Sequence, residues 1–323
     1  MKRAILIFIA IGAVIPVSIT WAAEIYPTRP VRMIVPYSPG GNADIQARYA
    51  AERLTETLGK QFVVDNRSGA SGIIGMELAA SSPADGYTVL FVGIEFAVNP
   101  GLFKKLPYDN IKDFQPISLV GETPLLFVAN AAIAASNVKE VIMLAQKRPG
   151  QLKYGSSGSG SPAHLAASLL EMLTGARLVH VPYKGTAQAI LDTISGQIEL
   201  TFPSMTSVLP HVKAGRLKAF AITVKSRSAL APDIPTMTEA GVASYETSIW
   251  NGLLVPVGTP KEIVDRLNQT IVQILRSPQA RQRYDQVGAE IRYNSPAEFQ
   301  AFIRSETTKW ASVIRAAGIR VEQ

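Results

Sequence analysis

Short β-rich runs alternate with helical patterns along most of the chain, and this alternation limits the fold more than any other feature. Runs such as 31–35, 153–156 and 178–181 each lead into a stretch whose apolar residues recur three or four positions apart, as on one face of a helix. When a helix follows a strand, the chain can return to the same sheet and add the next strand parallel to the first. The pattern therefore predicts an α/β fold with parallel sheets and helices on both sheet faces.

The length of the chain predicts two such units. It has 323 residues, which is enough for roughly two domains of ordinary size, and no long linker divides it. We therefore expect two lobes between which the chain crosses on strands, since such crossings act as hinges.

The N-terminus has the pattern of a secretory signal. Lys2 and Arg3 precede an apolar run at 4–15, and small residues follow around Ala22, where we expect cleavage. The alternative is a membrane anchor, but the run is shorter than the ~20 residues that a spanning helix needs. We expect residues 1–22 to be removed and the mature protein to work in the periplasm of a Gram-negative bacterium.

Composition excludes several classes of protein. The chain has no cysteine, which rules out disulfide scaffolds, thiolate metal sites, cysteine nucleophiles and lipid attachment through an N-terminal cysteine. Its formal net charge of +7 is not concentrated in any run, so we expect no nucleic-acid partner. The three histidines lack the spacing of metal ligands, and we expect neither a metal nor another cofactor.

Three strand-to-helix junctions are rich in glycine, serine or proline and are candidates for an anion site. Glycines let the backbone approach a ligand closely, and the free N–H groups at a helix start can hydrogen-bond an anion. Ligands of open parallel sheets bind beyond the carboxyl ends of the strands, where these loops lie. The candidate residues are Tyr37, Ser38, Pro39, Gly40, Gly41 and Asp44 in the first loop, Ser156, Ser157, Gly158, Ser159, Ser161 and His164 at the second, and Tyr183, Lys184, Gly185 and Thr186 in the third.

Each loop also has a plainer interpretation. Asp44 fits a simple helix cap, the second loop fits a mobile surface segment, and Lys184 fits a solvated side chain. A fourth candidate segment, 93–100, follows the strand at 88–92 and contributes Phe96. We add Ser204, which follows the β-rich run at 198–202.

The motifs of common enzymes are absent or incomplete. The segment 158–163 satisfies the dinucleotide pattern G-x-G-x-x-A, but the acid expected about 20 residues later is missing. Neither a P-loop nor a G-x-S-x-G elbow occurs. A secreted hydrolase that uses Ser161 and His164 remains an alternative, although no orienting acid can be identified.

Several segments together resemble a known family over nearly the whole mature chain. The sequence Tyr-Pro-Thr-Arg-Pro-Val-Arg-Met-Ile-Val-Pro-Tyr-Ser-Pro-Gly-Gly-Asn-Ala-Asp at 26–44 is similar to the N-terminal signature of Bug-type extracytoplasmic solute-binding receptors of tripartite tricarboxylate transporters. Further matching segments are 58–67, 69–75, 84–90, 181–185, 232–236, 239–241, 250–253 and 258–260.

The resemblance implies two Rossmann-like lobes that are joined by hinge strands and close on a ligand like a Venus flytrap. It implies lobe limits at 23–123 and 245–323 for the first lobe and 124–244 for the second. The expected ligand is a small organic carboxylate: a di- or tricarboxylate, an acidic amino acid or an aromatic acid. Backbone N–H groups of 38–41 would hold it from the first lobe, and the loops 156–161 and 183–186 from the second.

The expected partners are the membrane permease subunits of the transporter, and the receptor is expected to be a monomer without a catalytic residue. A ligand sensor that feeds a signalling partner is an alternative. Glu95 departs from the expected pattern, because an anionic side chain facing the cleft would repel a carboxylate. It either points away or meets an amino or hydroxyl group of the ligand.

Overall fold

The computed structural model describes residues 26–320, which form two mixed β-sheets with helices packed on their faces. The expected signal peptide and its cleavage site lie outside the described residues. The strands are β1 Val31–Val35, β2 Phe62–Asn66, β3 Thr88–Gly93, β4 Phe114–Pro124, β5 Leu126–Asn130, β6 Lys153–Ser156, β7 Val179–Pro182, β8 Leu200–Thr201, β9 Leu217–Ile222, β10 Ser248–Pro256 and β11 Glu290–Ile291. The helices are α1 Asn42–Leu58, α2 Ile73–Ala80, α3 Glu95–Leu102, α4 Val138–Lys147, α5 Pro162–Thr174, α6 Thr186–Ser195, α7 Met205–Lys213, α8 Lys261–Leu275, α9 Pro278–Val287 and α10 Pro296–Ala317.

Each sheet belongs to one lobe of an α/β architecture, as predicted. The first sheet has the order β11-β4-β10-β3-β1-β2, and the second has the order β7-β6-β8-β5-β9. Pairing is parallel within β2-β1-β3 and within β7-β6-β8, but β10 is antiparallel to both of its neighbours, and so is β5. The expected parallel pairing therefore holds for these two sets of strands but not for β5 and β10. The antiparallel strands β5 and β10 each enter their sheet from the other lobe, so they start where the parallel strands end.

The chain crosses between the sheets twice, and the two crossings are hydrogen-bonded to each other. The first crossing is at Leu125, between β4 and β5, and the return starts at Thr223, after β9. The Leu125 N–H donates to the Thr223 hydroxyl at 3.0 Å, and the Thr223 N–H donates to the Leu125 carbonyl at 3.1 Å. The lobe limits at 123/124 and 244/245 remain a prediction.

Helix α10 packs against both lobes. Its apolar stripe is buried at Phe299, Ile303, Trp310, Val313 and Ile314. The helix lies against α3 of the first lobe and α5 of the second. It starts at a full capping box, in which the hydroxyl of Ser295 accepts from the Glu298 N–H and the Glu298 carboxylate accepts from the Ser295 N–H.

A buried carboxylate ties α10 to the central strand β10. The indole N–H groups of Trp250 and Trp310 both donate to Oε2 of Glu306, at 3.2 and 2.9 Å. Lys309 forms an ion pair with the other carboxylate oxygen. Both tryptophans are almost fully buried, so this single side chain satisfies two donors that water cannot reach.

The segment 93–100, expected to be a loop, is helical from Glu95 onward. Pro100 lies inside α3. In a regular helix the N–H at this position would donate to the Phe96 carbonyl, but proline has no backbone N–H. The side-chain amide of Asn110 donates to that carbonyl instead, at 3.1 Å. The helix therefore tolerates the proline because a distant residue replaces the missing donor.

Candidate functional site

A cavity of about 440 Å³ lies between the two lobes, and we call it the cleft cavity. The loops after β1 and β2 and the first turns of α3 line it from the first lobe, and the loop after β6 lines it from the second. It therefore lies beyond the carboxyl ends of parallel strands in both lobes. The lining residues are Pro36, Tyr37, Ser38, Ser68, Gly69, Ser71, Gly72, Ile94, Glu95, Val98, Asn99, Leu102, Ser157, Ser159, Gly160, Ser161 and Pro162.

Hydroxyl groups dominate the polar part of the cleft cavity. Six of the lining residues are serines, and they come from three different loops. Among the described residues that line the cavity, none is lysine, arginine or histidine. The hydrogen-bond donors that these lining residues offer are therefore neutral.

Glu95 contributes the carboxylate of the cleft cavity, and Tyr37 is bonded to it. The Tyr37 hydroxyl donates to Glu95 Oε2 at 2.9 Å. Burial raises the pKa of the Glu95 carboxyl, although the hydrogen bond from Tyr37 opposes that shift. Burial and the neighbouring Glu95 hold the pKa of Tyr37 well above its ordinary value, so the phenol stays a donor. Of the two orientations expected for Glu95, the structure has the one that faces the cleft.

The loop between β2 and α2 lines the cleft cavity although we did not predict it as part of the site. Four consecutive residues, Gly69 to Gly72, have positive φ angles of 129°, 46°, 54° and 83°. For Ala70 and Ser71 this left-handed backbone costs roughly 1–2 kcal/mol each. The amide of Asn99 donates to the Ser71 carbonyl at 3.0 Å and supports the turn. A serine- and glycine-rich run between a strand and a helix was the available signal, since the predicted loops share it.

Only part of the first predicted loop reaches the cavity. Tyr37 and Ser38 line it, whereas Pro39, Gly40 and Gly41 are exposed to solvent outside it. Asp44 is buried beneath the loop, where its carboxylate accepts from the Gly40 N–H at 2.9 Å and from side chains of Arg48 and Asn66 at 2.8 Å.

The hydrogen bonds to Asp44 decide its role. Burial alone would raise the pKa of Asp44, but the bonds from Arg48, Gly40 and Asn66 outweigh burial and lower it. Two of these donors lie outside the loop, Arg48 in α1 and Asn66 in β2. Asp44 therefore holds the loop at Gly40 against α1 and β2.

The second predicted loop supplies most of the second lobe's contribution. Ser157, Ser159 and Ser161 line the cavity. Ser156 is buried below them, where its hydroxyl is 2.6 Å from Nε2 of His180 and accepts from the Gly158 N–H at 3.1 Å. Gly158, whose φ is 119°, does not line the cavity. A Cβ at this position would meet no atom within 4 Å.

His164 supports this loop from beneath and does not activate a nucleophile. Its Nδ1 accepts from the Gly160 N–H at 3.1 Å, and its ring stacks on His180 with 3.9 Å between the ring centres. The Ser161 hydroxyl caps α5 by accepting from the backbone N–H of His164. The serine and the histidine are thus both occupied by backbone groups, which removes the geometry that a hydrolase needs.

The remaining predicted residues do not line the cavity. Tyr183 donates to the Asp192 carboxylate at 2.8 Å, on the edge strand side of the second sheet, and Lys184, Gly185 and Thr186 follow it there. Phe96 is fully buried against Tyr108 and Phe114. Ser204 precedes α7, and its hydroxyl donates to the Ser207 hydroxyl at 2.9 Å.

Acidification is expected to destabilise the protein because His164 and His180 are held neutral. Burial and the neighbouring His180 lower the pKa of His164 to about 4, and burial lowers that of His180. Unfolded histidines titrate near pH 6.5, so between these values the unfolded chain binds more protons, and stability falls as the pH falls. For each histidine, the free energy of unfolding falls by at most about 1.4 kcal/mol for each pH unit of acidification. Denaturant unfolding at pH 7, 6 and 5 measures this decrease.

The control for this pH dependence is His164→Asn, which keeps an acceptor for the Gly160 N–H but does not titrate. Its stability should fall less steeply between pH 7 and 5 than that of the wild type. Identical slopes for the two proteins would contradict the assignment.

Within residues 26–320, no group of three or more histidine, cysteine, aspartate or glutamate side chains is placed to hold a metal ion. Over the same residues, no helix combines the length and the apolar character required to cross a bilayer.

Comparison with known proteins places the chain in a family. The family model described as "Tripartite tricarboxylate transporter family receptor" matches residues 46–319. Protein BugT of Bordetella pertussis is 37% identical over 319 residues, which span 98% of this chain and 97% of BugT.

Solved structures agree with this placement. The structure of R. palustris Rpa4515 with adipate aligns with a TM-score of 0.75 and 36% identity over 92% of this chain and 100% of that one. The periplasmic binding protein BugD aligns with a TM-score of 0.71 and 35% identity, again over 92% of this chain and 100% of that one. The chain therefore belongs to the receptor family of the tripartite tricarboxylate transporters, and it is a periplasmic solute-binding receptor, not an enzyme.

Proposed function

We propose that this protein captures a small organic carboxylate in the cleft cavity and delivers it to the permease subunits of a tripartite tricarboxylate transporter. The observation that carries the proposal is the cavity wall itself, in which serine hydroxyls from three loops face one space between two lobes. The binding of adipate by Rpa4515, a relative of 36% identity, supports the carboxylate class.

Neutral donors suit a receptor that must release its ligand. A hydrogen bond to a charged group contributes roughly 1.5–3 kcal/mol net, so a few serines and N–H groups suffice for useful affinity. The ligand carboxylate meets no cationic side chain among the described lining residues, so no ion pair to that carboxylate has to be broken on release. We propose that Ser38, Ser157, Ser159 and Ser161 hold the ligand carboxylate, with Ser68 and Ser71 beside them.

Delivery requires that the lobes move. We propose that residues 23–123 and 245–323 form one lobe and 124–244 the other, and that they turn about the paired crossings at Leu125 and Thr223. The mature receptor, after cleavage behind Ala22, is proposed to be a periplasmic monomer. A monomer leaves both lobe surfaces free for the permease.

Ligand binding is expected to compact the protein. Isothermal titration against mono-, di- and tricarboxylates and amino acids should show saturable binding at one site per chain, with the ligand recovered unchanged. X-ray scattering with and without that ligand should show a smaller radius of gyration when the site is filled. No binding by any carboxylate would refute the proposed ligand class, and an unchanged radius at saturation would refute closure.

A further inference from the structure

Two residues of helix α3 that carry acceptor oxygens line the cleft cavity. Glu95 and Asn99 are four residues apart, so they lie on the same face of the helix, and both line the cavity. The side-chain N–H₂ of Asn99 donates to the Ser71 carbonyl at 3.0 Å and to the Tyr108 hydroxyl at 3.4 Å. The other hydrogen-bonding atom of this side chain is its oxygen, Oδ1.

The oxygen of Asn99 is buried and has no partner. Asn99 is 0% exposed, and its Oδ1 makes no hydrogen bond to any described residue. A buried polar atom without a partner costs roughly 1–3 kcal/mol. An N–H donor on a ligand would remove that cost.

The carboxylate of Glu95 has hydrogen-bond donors but no cationic partner in the described part of the chain. Among the described residues it forms no salt bridge, and its one side-chain partner is the neutral hydroxyl of Tyr37 at 2.9 Å. None of the described residues that line the cavity has a cationic side chain, and a buried carboxylate without a cation is costly to keep ionised. Burial accordingly raises its pKa.

The two sides of the cleft cavity thus have opposite hydrogen-bonding character. The loop with Ser157, Ser159 and Ser161 offers hydroxyl donors from the second lobe, and α3 offers the oxygens of Glu95 and Asn99 from the first. A molecule with two carboxylates would place one of them against Glu95. A molecule with a carboxylate at one end and an ammonium at the other satisfies both sides.

We propose that the ligand is an aminocarboxylate whose ammonium group is bound by Glu95 and Asn99 while its carboxylate lies against the serine loops. This inference rests on the proposed carboxylate-binding function and narrows it. An ammonium group carries three donors and the charge that Glu95 lacks, whereas a hydroxyl supplies one donor and no charge. Glu95 is then the residue that selects against diacids.

Matched ligands test the proposal on the intact receptor. 6-Aminohexanoate, adipate and hexanoate share a six-carbon chain and differ in the group at one end: ammonium, carboxylate or methyl. 4-Aminobutyrate and succinate form a shorter pair. Titration calorimetry should show that the wild type binds at least one amino acid of the panel tenfold or more tightly than the diacid of the same length.

Glu95→Gln should reverse this order. It keeps an acceptor for Tyr37 and the size of the side chain, but it removes the charge. We expect the affinity for the aminocarboxylate to fall at least 30-fold and the affinity for the matched diacid to rise. Glu52→Gln, at an exposed position outside the cavity, is the control and should change neither affinity.

A merely structural role of Glu95 would give a different result. It would weaken all ligands by the same factor in Glu95→Gln, together with a lower melting temperature. We expect the melting temperature of the ligand-free variant to be equal to or above that of the wild type, because a buried charge without a cationic partner is removed.

The failures of the two proposals are distinguishable. If diacids bind the wild type as tightly as the matched aminocarboxylates, or if Glu95→Gln leaves the preference unchanged, the inference about Glu95 is refuted and the carboxylate receptor stands. If no acid of either class binds, the proposed function is refuted and this inference with it.

Discussion

Replacing Glu306 by leucine should lower the free energy of unfolding by about 3–5 kcal/mol, a magnitude typical of breaking a buried charged network. The loss arises because the indole N–H groups of Trp250 and Trp310 both donate to one oxygen of this side chain. Leucine has a similar volume and offers no acceptor, so two buried donors lose their partner at once. Urea unfolding monitored by tryptophan fluorescence and by circular dichroism measures the change.

The matched control is Glu306→Gln, which keeps a carbonyl oxygen for the two indoles. Lys309 loses its ion pair in that variant, but its ammonium group also donates to the Glu246 carbonyl at 3.0 Å. We expect the free energy of unfolding of Glu306→Gln to be about 1 kcal/mol below that of the wild type, which is the net contribution of a single hydrogen bond. Equal losses in the two variants would show that the negative charge, and not the shared acceptor, stabilises α10 on β10.

Replacing Gly160 by leucine should lower the affinity for the receptor's ligand at least 100-fold, which corresponds to about 2.7 kcal/mol. Gly160 lines the cleft cavity with a φ of 75°. A Cβ at this position would lie 2.8 Å from Cδ1 of Leu102, which belongs to α3 in the other lobe. The longer side chain would both fill the cavity and hold the lobes apart. Titration calorimetry with the tightest acid of the panel checks this.

Gly158→Leu is the control for backbone strain. Gly158 lies in the same loop with a positive φ of 119°, but a Cβ there would meet no atom within 4 Å. Both variants should lose a similar amount of stability, on the order of 1 kcal/mol for a left-handed non-glycine residue. Only Gly160→Leu should lose affinity. A comparable loss of affinity in both would mean that loop strain, and not the contact with Leu102, is responsible.

The predictable part of the fold is the part determined by local pattern. Strand and helix periodicity identified β1, β6 and β7 and the helices that follow them, since each element is specified by its own residues. Strands β4 and β10 escaped prediction because they contain residues that usually interrupt strands, such as Pro116, Gly121 and Gly252. They are strands because they pair with each other along most of their length, and that pairing joins segments more than a hundred residues apart.

Local sequence pattern identified loops between strands and helices, but not which of them face the cleft. The predicted loops after β1 and β6 reach the cavity, and so does the loop after β2, which was not predicted and follows an edge strand. The loop at 183–186 also follows an edge strand, β7, but Tyr183 bonds to Asp192 and this loop does not line the cavity. The orientation of Glu95 depends on α3 starting directly after β3, and Asn110 enables that helix from outside the segment.

The insertion of the second sheet within the first has a consequence for the order of synthesis. The second sheet is complete once β9 ends at Ile222, whereas the first lacks β10, the strand that lies between β3 and β4, until Pro256 has been made. Chains emerge at about 5–20 residues per second, and pairing of distant segments is slow. The second lobe is therefore the first whose sheet can be completed. Until β10 has been made, β3 and β4 each have an unpaired edge, and unpaired strand edges promote aggregation. A chaperone that delays folding until the C-terminal segment arrives would protect this interval.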